Sequence, residues 1–360
     1  MKRLLTIVGA RPQFIKSAAI SRVIQTQCSN EVAEDLLHTG QHYDSTMSEV
    51  FFNELGLTRP AYNLNVGSGS HGWQTARMLE GIEQVLQNEH YDGVIVYGDT
   101  NSTLAGALAA SKLNIPLFHV EAGLRSFNRT MPEEQNRIVA DHLATRLYAP
   151  TQTAVDNLTT EGLNSRTLLS GDIMLDNTIH YLTHTSDQLL QQGGLTAEHY
   201  ALATLHRDFN TDHPDRLQAI LDALGQIART SGEAVVLPLH PRTAARIRDQ
   251  HLALPDGIKV LPPVSYLEML SLEQGARIVL TDSGGVQKEA YFLQRPCVIL
   301  RPETEWQEIV AVGAATLTDA DPQRILQAYN ELTREAIVRQ PLFGDGHAAE
   351  TIINDILNSL

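Results

Sequence analysis

The sequence predicts an α/β protein with two Rossmann-like, doubly wound domains that face each other across a cleft. Short apolar runs alternate with helical patterns along the whole chain. Several runs, such as residues 4–8, 94–97 and 200–204, lack the polar alternation of a half-exposed strand. Runs of this kind are typical of strands buried on both faces of a parallel sheet. The pattern starts at residues 4–17 and again at 200–221, so we expect two sheets.

Each predicted strand is followed by a segment with helical periodicity or by a turn. The predicted strands cover residues 4–8, 94–97, 116–120, 146–149, 200–204, 234–237, 258–261, 277–280 and 297–300, and the clearest helices cover 72–87, 103–112 and 214–228. We place the domains at residues 1–169 and 170–345. The last helix, over residues 346–360, follows Pro341 and a Gly/Asp loop, and we expect it to pack back on the first domain.

Composition narrows the classes of partner. The 360 residues are enough for two domains. Lysine and arginine total 27 against 42 aspartates and glutamates, which gives a net charge of −15. This balance argues against a nucleic-acid partner and against an anionic membrane surface, because both select basic faces. A small anionic ligand remains possible, since a basic cleft can lie inside an acidic protein.

The two cysteines and the N-terminal sequence indicate the cellular compartment in which the protein is expected. Cys28 and Cys297 are far apart in the sequence and read as reduced thiols, not as a disulfide framework. The apolar run that begins at residue 4 is too short for a signal peptide, and no run is long enough to span a membrane. We therefore expect a cytoplasmic protein.

Ligands of open α/β sheets bind at the carboxyl ends of the strands, so polar residues directly after strands are the candidates for chemistry. Arg11 and Lys16 follow the first strand, at the start of a helix where phosphate binds readily. A plain strand-to-helix turn with surface cations explains this pattern equally well.

Three carboxylates also follow predicted strands or open the helices after them. Asp99 would also suit a helix N-cap, and the helix dipole alone could explain Glu133, which follows Pro132. Glu121 ends a buried strand and has no capping explanation. Clustered carboxylates beside cations suit general acid–base catalysis. A metal site is the alternative, but no HxxxH or Asp-x-Asp motif accompanies the carboxylates, and we expect no metal.

The second half of the chain carries a different set of polar residues at strand ends. A histidine–arginine pair after a strand indicates anion binding or catalysis, and Ser-Gly-Gly at a helix start offers backbone N–H groups to a diphosphate. A glutamate one turn into that helix can hold ribose hydroxyls. These residues are His206, Arg207, His240, Arg242, Ser283, Gly284, Gly285 and Glu289. The absence of a GxGxxG motif disfavours a dinucleotide oxidoreductase.

Taken together and in order, these blocks resemble the non-hydrolysing UDP-N-acetylglucosamine 2-epimerase family. The blocks are residues 9–12, 98–100, 119–125, 132–137, 206–207 and 282–285 with Glu289. The resemblance implies a fold like that of GT-B glycosyltransferases, with the nucleotide on the second domain. It also implies inversion at C2 of a UDP-2-acetamido sugar by elimination and re-addition of UDP through a 2-acetamidoglucal. Such enzymes need neither metal nor redox cofactor and are usually homodimers.

The resemblance also assigns roles to individual residues. The implied catalytic set is Asp99, Glu121, Glu133 and His206. The implied set for binding UDP and the sugar is Arg11, Lys16, Arg125, Arg137, Arg207, His240, Arg242, Ser283, Gly284, Gly285 and Glu289. Sequence does not decide which carboxylate removes the C2 proton.

Three alternatives stay open within and beside this family. Residues 9–16, 240–243 and 303–306 look more like a branch that acts on UDP-2,3-diacetamido-2,3-dideoxyglucuronate. The carboxylate of such a substrate would call for an added cation, for which Arg125, Arg129 and Arg242 are candidates. A hydrolysing relative that releases N-acetylmannosamine and a GT-B glycosyltransferase are the other two readings.

One segment departs from the family pattern. Many bacterial members carry Thr-Ala-Gln-His and a downstream arginine that help to bind a regulatory UDP-sugar. Here the corresponding segments, residues 39–44 and 67–72, differ from that pattern. We therefore expect no activation by substrate.

Overall fold

The computed structural model describes residues 1–40, 52, 54–334, 337 and 340–360. Two compact units form, one from Met1–Ile179 with Pro341–Leu360 and the other from His180–Gln340. The first unit extends ten residues further than the predicted boundary because the helix after its last strand is bonded to it. Asn177 Nδ2 donates to the carbonyl oxygen of Ile15 at 2.5 Å.

The first unit contains a parallel sheet of seven strands in the order β3-β2-β1-β4-β5-β6-β7. Its strands are β1 (Lys2–Val8), β2 (Val32–His38), β3 (Tyr62–Asn63), β4 (Gly93–Tyr97), β5 (Leu117–Val120), β6 (Arg146–Ala149) and β7 (Thr167–Leu169). Its helices are α1 (Arg11–Gln27), α2 (His71–Asn88), α3 (Asn101–Lys112), α4 (Pro132–Leu143) and α5 (Gln152–Thr160). A short 3₁₀ turn covers Asn164–Arg166, and α6 (Ile173–Leu182) leads into the second unit.

The second unit contains a parallel sheet of six strands in the order β10-β9-β8-β11-β12-β13. Its strands are β8 (Tyr200–Thr204), β9 (Ala234–Pro238), β10 (Ile258–Leu261), β11 (Ile278–Thr281), β12 (Cys297–Ile299) and β13 (Ala315–Leu317). Its helices are α7 (Gln188–Gln192), α8 (Asp208–Thr211), α9 (Pro214–Ser231), α10 (Pro241–Asp249), α11 (Tyr266–Gly275), α12 (Gly284–Phe292), α13 (Gln307–Ala311) and α14 (Pro322–Leu332).

The predicted α/β class with two Rossmann-like sheets is confirmed. In each sheet the strand order reverses once, between β1 and β4 in the first unit and between β8 and β11 in the second. Helices leave the sheet on opposite faces at such a point, which opens a crevice at the carboxyl ends of the two strands. The strand ends at these two crevices are therefore where ligands of each unit are expected.

Most of the strands that were predicted from the sequence contain a run of buried apolar residues. All five residues of β4 are buried, and the nine predicted strands are all present within one to two residues at each end. β2 was missed because Glu34 and Asp35 interrupt its apolar run, and β3, β7 and β13 are only two or three residues long. None of the helices in the described part of the chain is both long and apolar enough to cross a membrane.

The last helix, α15 (Ala348–Ser359), packs on the first unit as predicted. It buries Ile352, Ile353 and Ile356. The carboxylate of Asp176 on α6 accepts hydrogen bonds from the backbone N–H groups of Ala348 at 3.2 Å and Ala349 at 2.8 Å. These two bonds satisfy donors that a helix start leaves unpaired.

Candidate active site

The turn after β1 is closed by the start of α1. A Cβ atom at Gly9 would lie 2.1 Å from Ser102 Oγ and 2.2 Å from Thr39 Oγ1, so glycine is required there. Gln13 Oε1 accepts hydrogen bonds from the backbone N–H groups of Gly9 at 2.8 Å and Ala10 at 3.2 Å. Arg11, a predicted phosphate ligand, is the first residue of α1 and is partly exposed.

Glu121 lies directly after β5, and its side chain is 7% exposed. Its carboxylate forms an ion pair with the ammonium group of Lys16, which projects from α1. Glu121 has a φ of 67°, in the left-handed region that non-glycine residues rarely adopt. A Cβ atom at Gly98 would lie 3.1 Å from Glu121 Oε2 and 3.2 Å from Lys16 Nζ. The ends of β4 and β5 and the helix after β1 therefore meet at this ion pair.

Asp99 follows β4, and the structure brings it together with Arg137 of α4. The side chain of Asp99 is 29% exposed and forms an ion pair with the guanidinium group of Arg137, which is 4% exposed. Asp99 is not the N-cap of α3, because Thr100 Oγ1 accepts the capping bond from Thr103 N at 3.3 Å. Its carboxylate thus has a charged partner and is not used to cap the helix.

The two adjacent glutamates at the start of α4 differ in environment. Glu134 is 1% exposed and accepts hydrogen bonds from Ser126 N at 2.9 Å and Phe127 N at 2.9 Å. Its carboxylate also accepts from Arg137 Nη1 at 2.8 Å. Glu133, the predicted catalytic residue, is partly exposed in the first turn of the same helix. Glu134 therefore holds the loop before α4, while Glu133 is the one of the two that is open to solvent.

His119 and Asp141 were given no role in the sequence analysis, yet they connect the turns that carry Asp99 and Glu121. His119 Nε2 lies 2.7 Å from the carbonyl oxygen of Gly98, and Nδ1 lies 2.7 Å from Asp141 Oδ1. Each ring nitrogen of His119 thus faces a hydrogen-bond acceptor. A histidine inside an otherwise apolar strand was the one signal in the sequence that pointed to this pair.

The charge of Asp141 is stabilised by its neighbours. Complete burial by itself raises the pKa of this carboxyl group, but the charges of and hydrogen bonds from His119 and Arg125 outweigh burial and hold the pKa below its usual value. Asp141 Oδ2 also accepts from the backbone N–H of Gly123 at 3.2 Å. Asp141 therefore fixes the chain on both sides of Glu121.

Arg125, for which the resemblance implied a role in binding UDP or the sugar, has carboxylate partners in the first unit. Its side chain is 1% exposed and lies 2.7 Å from Asp141 and 2.7 Å from Glu161. The contact with Glu161 is bidentate, because Nε also donates to it at 2.7 Å. The guanidinium is thus enclosed within the first unit, where it supports the loop after Glu121.

In the second unit, Asp282 fixes the turn after β8. Asp282 is completely buried and accepts hydrogen bonds from the backbone N–H groups of His206 and Arg207, each at 3.1 Å. His206 Nδ1 also lies 3.3 Å from Asp282 Oδ1, and the His206 side chain is 43% exposed. Asp282 thus orients the predicted catalytic histidine, whose ring stays accessible at the β8–β11 crevice. Arg207 is partly exposed beside it.

The start of α12 has open space beside the backbone of Gly284 and Gly285. Ser283 caps the helix, with Oγ accepting from Val286 N at 3.4 Å. A Cβ atom at Gly284 would come no closer than 3.6 Å to any neighbour (Trp306 Nε1), and one at Gly285 no closer than 3.8 Å (Ser283 Oγ). Backbone N–H groups and the helix dipole at such a position favour phosphate.

Glu289, the predicted ribose ligand, is 5% exposed and lies in a buried acidic group. Burial, followed by the charge of Glu289, raises the pKa of Tyr266 well above its usual value, and a hydrogen bond joins these two side chains. Burial, reinforced by the charge of Glu289, also raises the pKa of Glu273 well above its usual value. Burial and the neighbouring charge therefore both favour the neutral form of Glu273.

His240 and Arg242 have local partners that the sequence did not reveal. His240 Nδ1 accepts a hydrogen bond from the backbone N–H of Arg242 at 3.2 Å, so the ring caps α10. The guanidinium of Arg242 lies 2.6 Å from Asp208 and 3.0 Å from Asp212. The predicted role of Arg242 in binding UDP would require it to leave these carboxylates.

The side chains that could bind a metal and the cysteines were also considered in the sequence analysis, and the described residues show where they lie. Across the described ranges, no three histidine, cysteine, aspartate or glutamate side chains are grouped as a metal site requires. Cys28 and Cys297 are buried free thiols. Residues 41–44 of the predicted regulatory segment lie outside the residues that the structure describes.

Paired carboxylates and cations at one strand crevice, with a Ser-Gly-Gly helix start at the other, are typical of α/β enzymes that act on phosphorylated ligands. The model of the UDP-N-acetylglucosamine 2-epimerase family matches residues 25–357. The chain belongs to this family, and the family predicted from the motifs is confirmed.

Individual relatives are similar to this chain over nearly its full length. The UDP-N-acetylglucosamine 2-epimerase homolog of Methanococcus maripaludis is 46% identical over 363 residues, which cover 99% of each chain. The UDP-2,3-diacetamido-2,3-dideoxy-D-glucuronate 2-epimerase of Pseudomonas aeruginosa is 46% identical over 354 residues, covering 97% of this chain and 98% of the relative. The crystal structure of Methanocaldococcus jannaschii UDP-GlcNAc 2-epimerase with UDP-GlcNAc and UDP superposes with a TM-score of 0.92 at 40% identity, covering 99% of this chain and all of that one.

Proposed function

We propose that this chain interconverts UDP-N-acetylglucosamine and UDP-N-acetylmannosamine by non-hydrolysing epimerisation at C2. The observation that carries the proposal is Glu121, a carboxylate 7% exposed at the end of a buried strand and paired with Lys16. A weakly acidic C–H needs a base in a site with little water. The left-handed backbone at Glu121 is energetically unfavourable, and strain of this kind clusters at functional sites.

The proposed reaction conserves atoms and electrons. A carboxylate takes the C2 proton, the C1–O bond breaks with its electron pair leaving on UDP, and a C1=C2 double bond forms. Re-addition of UDP restores the C1–O bond while a proton returns to the opposite face of C2. Two acid/base groups are therefore needed, and Glu121 with Asp99 or Glu133 would supply them. Asp99 is ion-paired with Arg137 and Glu121 with Lys16, so each of these two carboxylates has a cation beside it.

The departing UDP needs positive charge around its diphosphate. Gly284 and Gly285 at the start of α12, beside Ser283, would hold phosphate through backbone N–H groups, and Glu289 would hold the ribose. His206 and Arg207, with Arg11 and Lys16, would match the remaining charge. His240 and Arg242 would line the nucleotide side once Arg242 exchanged its carboxylate partners for phosphate.

A second candidate substrate is UDP-2,3-diacetamido-2,3-dideoxyglucuronate. The Pseudomonas aeruginosa enzyme named for this sugar is 46% identical to this chain, a similarity that favours this substrate. Arg129 is exposed on the loop before α4 and is a cation that could meet the carboxylate of such a sugar. The chemistry at C2 is the same for both candidates.

The deciding experiment incubates each UDP-sugar with the enzyme in heavy water and follows the C2 position by proton NMR. We expect UDP-N-acetylglucosamine to reach equilibrium with UDP-N-acetylmannosamine, with deuterium at C2 of both. Unlabelled product would exclude proton abstraction, and accumulation of free N-acetylmannosamine would select a hydrolysing enzyme. Inversion of the uronate alone would establish the second candidate, and a requirement for an acceptor would indicate a glycosyltransferase.

We further propose a cytoplasmic homodimer, on the basis of the family resemblance and of the unpaired cysteines. Light scattering after size exclusion should give twice the chain mass, and a monomer that remains active would contradict the dimer.

A further inference from the structure

Phe127 is an aromatic side chain held out to solvent in the loop that leads to α4. The ring is 78% exposed, and the backbone has a φ of 58°. A bulky residue in the left-handed region is strained, and an exposed ring gains nothing from burial. Strain that persists in a folded protein concentrates at sites that contact ligands.

The strained conformation is held by Glu134. This buried carboxylate accepts from Phe127 N at 2.9 Å and from Ser126 N at 2.9 Å, and Ser126 Oγ donates to it at 3.0 Å. The same carboxylate accepts from Arg137, which is ion-paired with Asp99. Only two side chains, Glu134 and Arg137, separate the backbone of Phe127 from the carboxylate of Asp99. The backbone that carries the ring is therefore tied to Asp99 through one continuous network of hydrogen bonds and ion pairs.

We propose that Phe127 contacts the sugar and retains the 2-acetamidoglucal intermediate, an inference that rests on the proposed function. After UDP leaves, the sugar is neutral and is no longer attached to the diphosphate, so the cations that hold UDP do not hold it. Its C1=C2 double bond makes one part of the ring flat and weakly polar. Such a face packs well against an aromatic ring, which gives the uncharged intermediate a contact that charged groups do not provide.

The test compares Phe127→Gly, Phe127→Ala and Phe127→Tyr with the wild-type enzyme. Glycine adopts the left-handed region freely, so Phe127→Gly should keep or raise the unfolding temperature. The same variant should lower kcat about tenfold and raise about tenfold the fraction of turnovers that end in released 2-acetamidoglucal and UDP. Phe127→Tyr, which keeps the ring, should restore retention of the intermediate. NMR of the reaction mixture measures both products.

His251→Gly is the matched control, because His251 is another exposed non-glycine residue with a left-handed φ, of 54°, and lies in the second unit. It should change neither kcat nor the released fraction. Wild-type kcat and wild-type retention in Phe127→Gly would overturn the inference, as would a changed oligomeric state with unchanged kinetics. A wild-type enzyme that does not epimerise would instead refute the proposed function.

Discussion

Lys16 and Glu121 form an ion pair in which both side chains are nearly enclosed, with exposures of 13% and 7%. The two residues are 105 positions apart in the sequence, and the turn at Gly98 covers their contact. Removing either charge leaves the other buried without its partner, which is strongly unfavourable. A substitution at this pair is therefore expected to have a large effect, which makes the pair suitable for testing the proposed chemistry.

Replacing Glu121 by glutamine keeps the shape of the side chain and removes its charge. We expect kcat to fall about 10³-fold, the middle of the range for loss of a general base, while the Kd for UDP changes less than about twofold. Deuterium exchange at C2 and calorimetric titration with UDP measure these two quantities. Glu80→Gln, on the exposed face of α2, is the control and should behave as wild type. Full activity in Glu121→Gln would remove Glu121 from the acid/base set.

Asp141 makes the first unit sensitive to acid. Because its pKa is lower in the folded protein, its stabilising effect is complete above the unfolded value of about 3.9 and is lost as the pH falls through the folded value. Asp141→Asn leaves His119 and Arg125 without their shared partner and should cost about 3–5 kcal/mol at pH 7. Urea unfolding at pH 7 and near pH 3 should show that the difference in free energy of unfolding between wild type and Asp141→Asn is smaller at pH 3. A difference that is independent of pH would contradict the lowered pKa of Asp141.

Glu273 has the opposite dependence on pH. Its pKa is raised in the folded state, so its contribution to stability is complete below the unfolded value of about 4.3 and is lost as the pH rises towards the folded value. The loss is about 1.4 kcal/mol per pH unit across that window. Glu273→Met should therefore be more stable than wild type at pH 8 and lose this advantage towards pH 5. Glu331→Met, at an exposed position on α14, should leave the pH dependence of unfolding unchanged.

Two substitutions at Gly284 distinguish the effect of an added charge from the effect of an added atom at the start of α12. Aspartate is favourable in the first turn of a helix by about 0.3–1 kcal/mol, so Gly284→Asp should fold normally. Repulsion between its carboxylate and a diphosphate about 4 Å away is about 4 kcal/mol at an effective dielectric constant of 20. We expect UDP affinity to fall about 100-fold or more, as calorimetry would show. Gly284→Ala, whose Cβ has 3.6 Å of room, is the control for the added atom.

Sequence predicted the positions of the candidate site residues at strand ends better than it predicted the partners of their side chains. The positions of Glu121 and Asp99 after β5 and β4 were predictable because the ends of buried strands follow directly from apolar runs. The rule for ligand binding in parallel sheets made these two residues candidates. The surroundings of Arg125 and Arg242 were missed, because their carboxylate partners lie 16–36 and 30–34 positions away in the sequence and are brought near only by folding.

The buried hydrogen bonds made by His119 and Glu134 were likewise not predictable from sequence spacing. The link from His119 to Gly98 requires two neighbouring strands in the observed register, where His119 lies beside Val96. Strand order in a sheet depends on contacts across the whole unit, so the spacing of these residues did not predict it. The loop that presents Phe127 depends likewise on Glu134, which from sequence alone looked like a second helix-opening acid.

The return of residues 341–360 to the first unit has a consequence for how the protein is made. A chain that emerges from the ribosome in order presents all of His180–Gln340 before α15 is available. The second unit can complete its fold during synthesis, whereas the first must wait for its final helix, with the helix-start donors of Ala348 and Ala349 still unsatisfied by Asp176. The unit that carries Asp99 and Glu121 is therefore the last to mature, so a ribosome that stalls before α15 emerges would yield a chain with a formed second unit and an unfinished first unit.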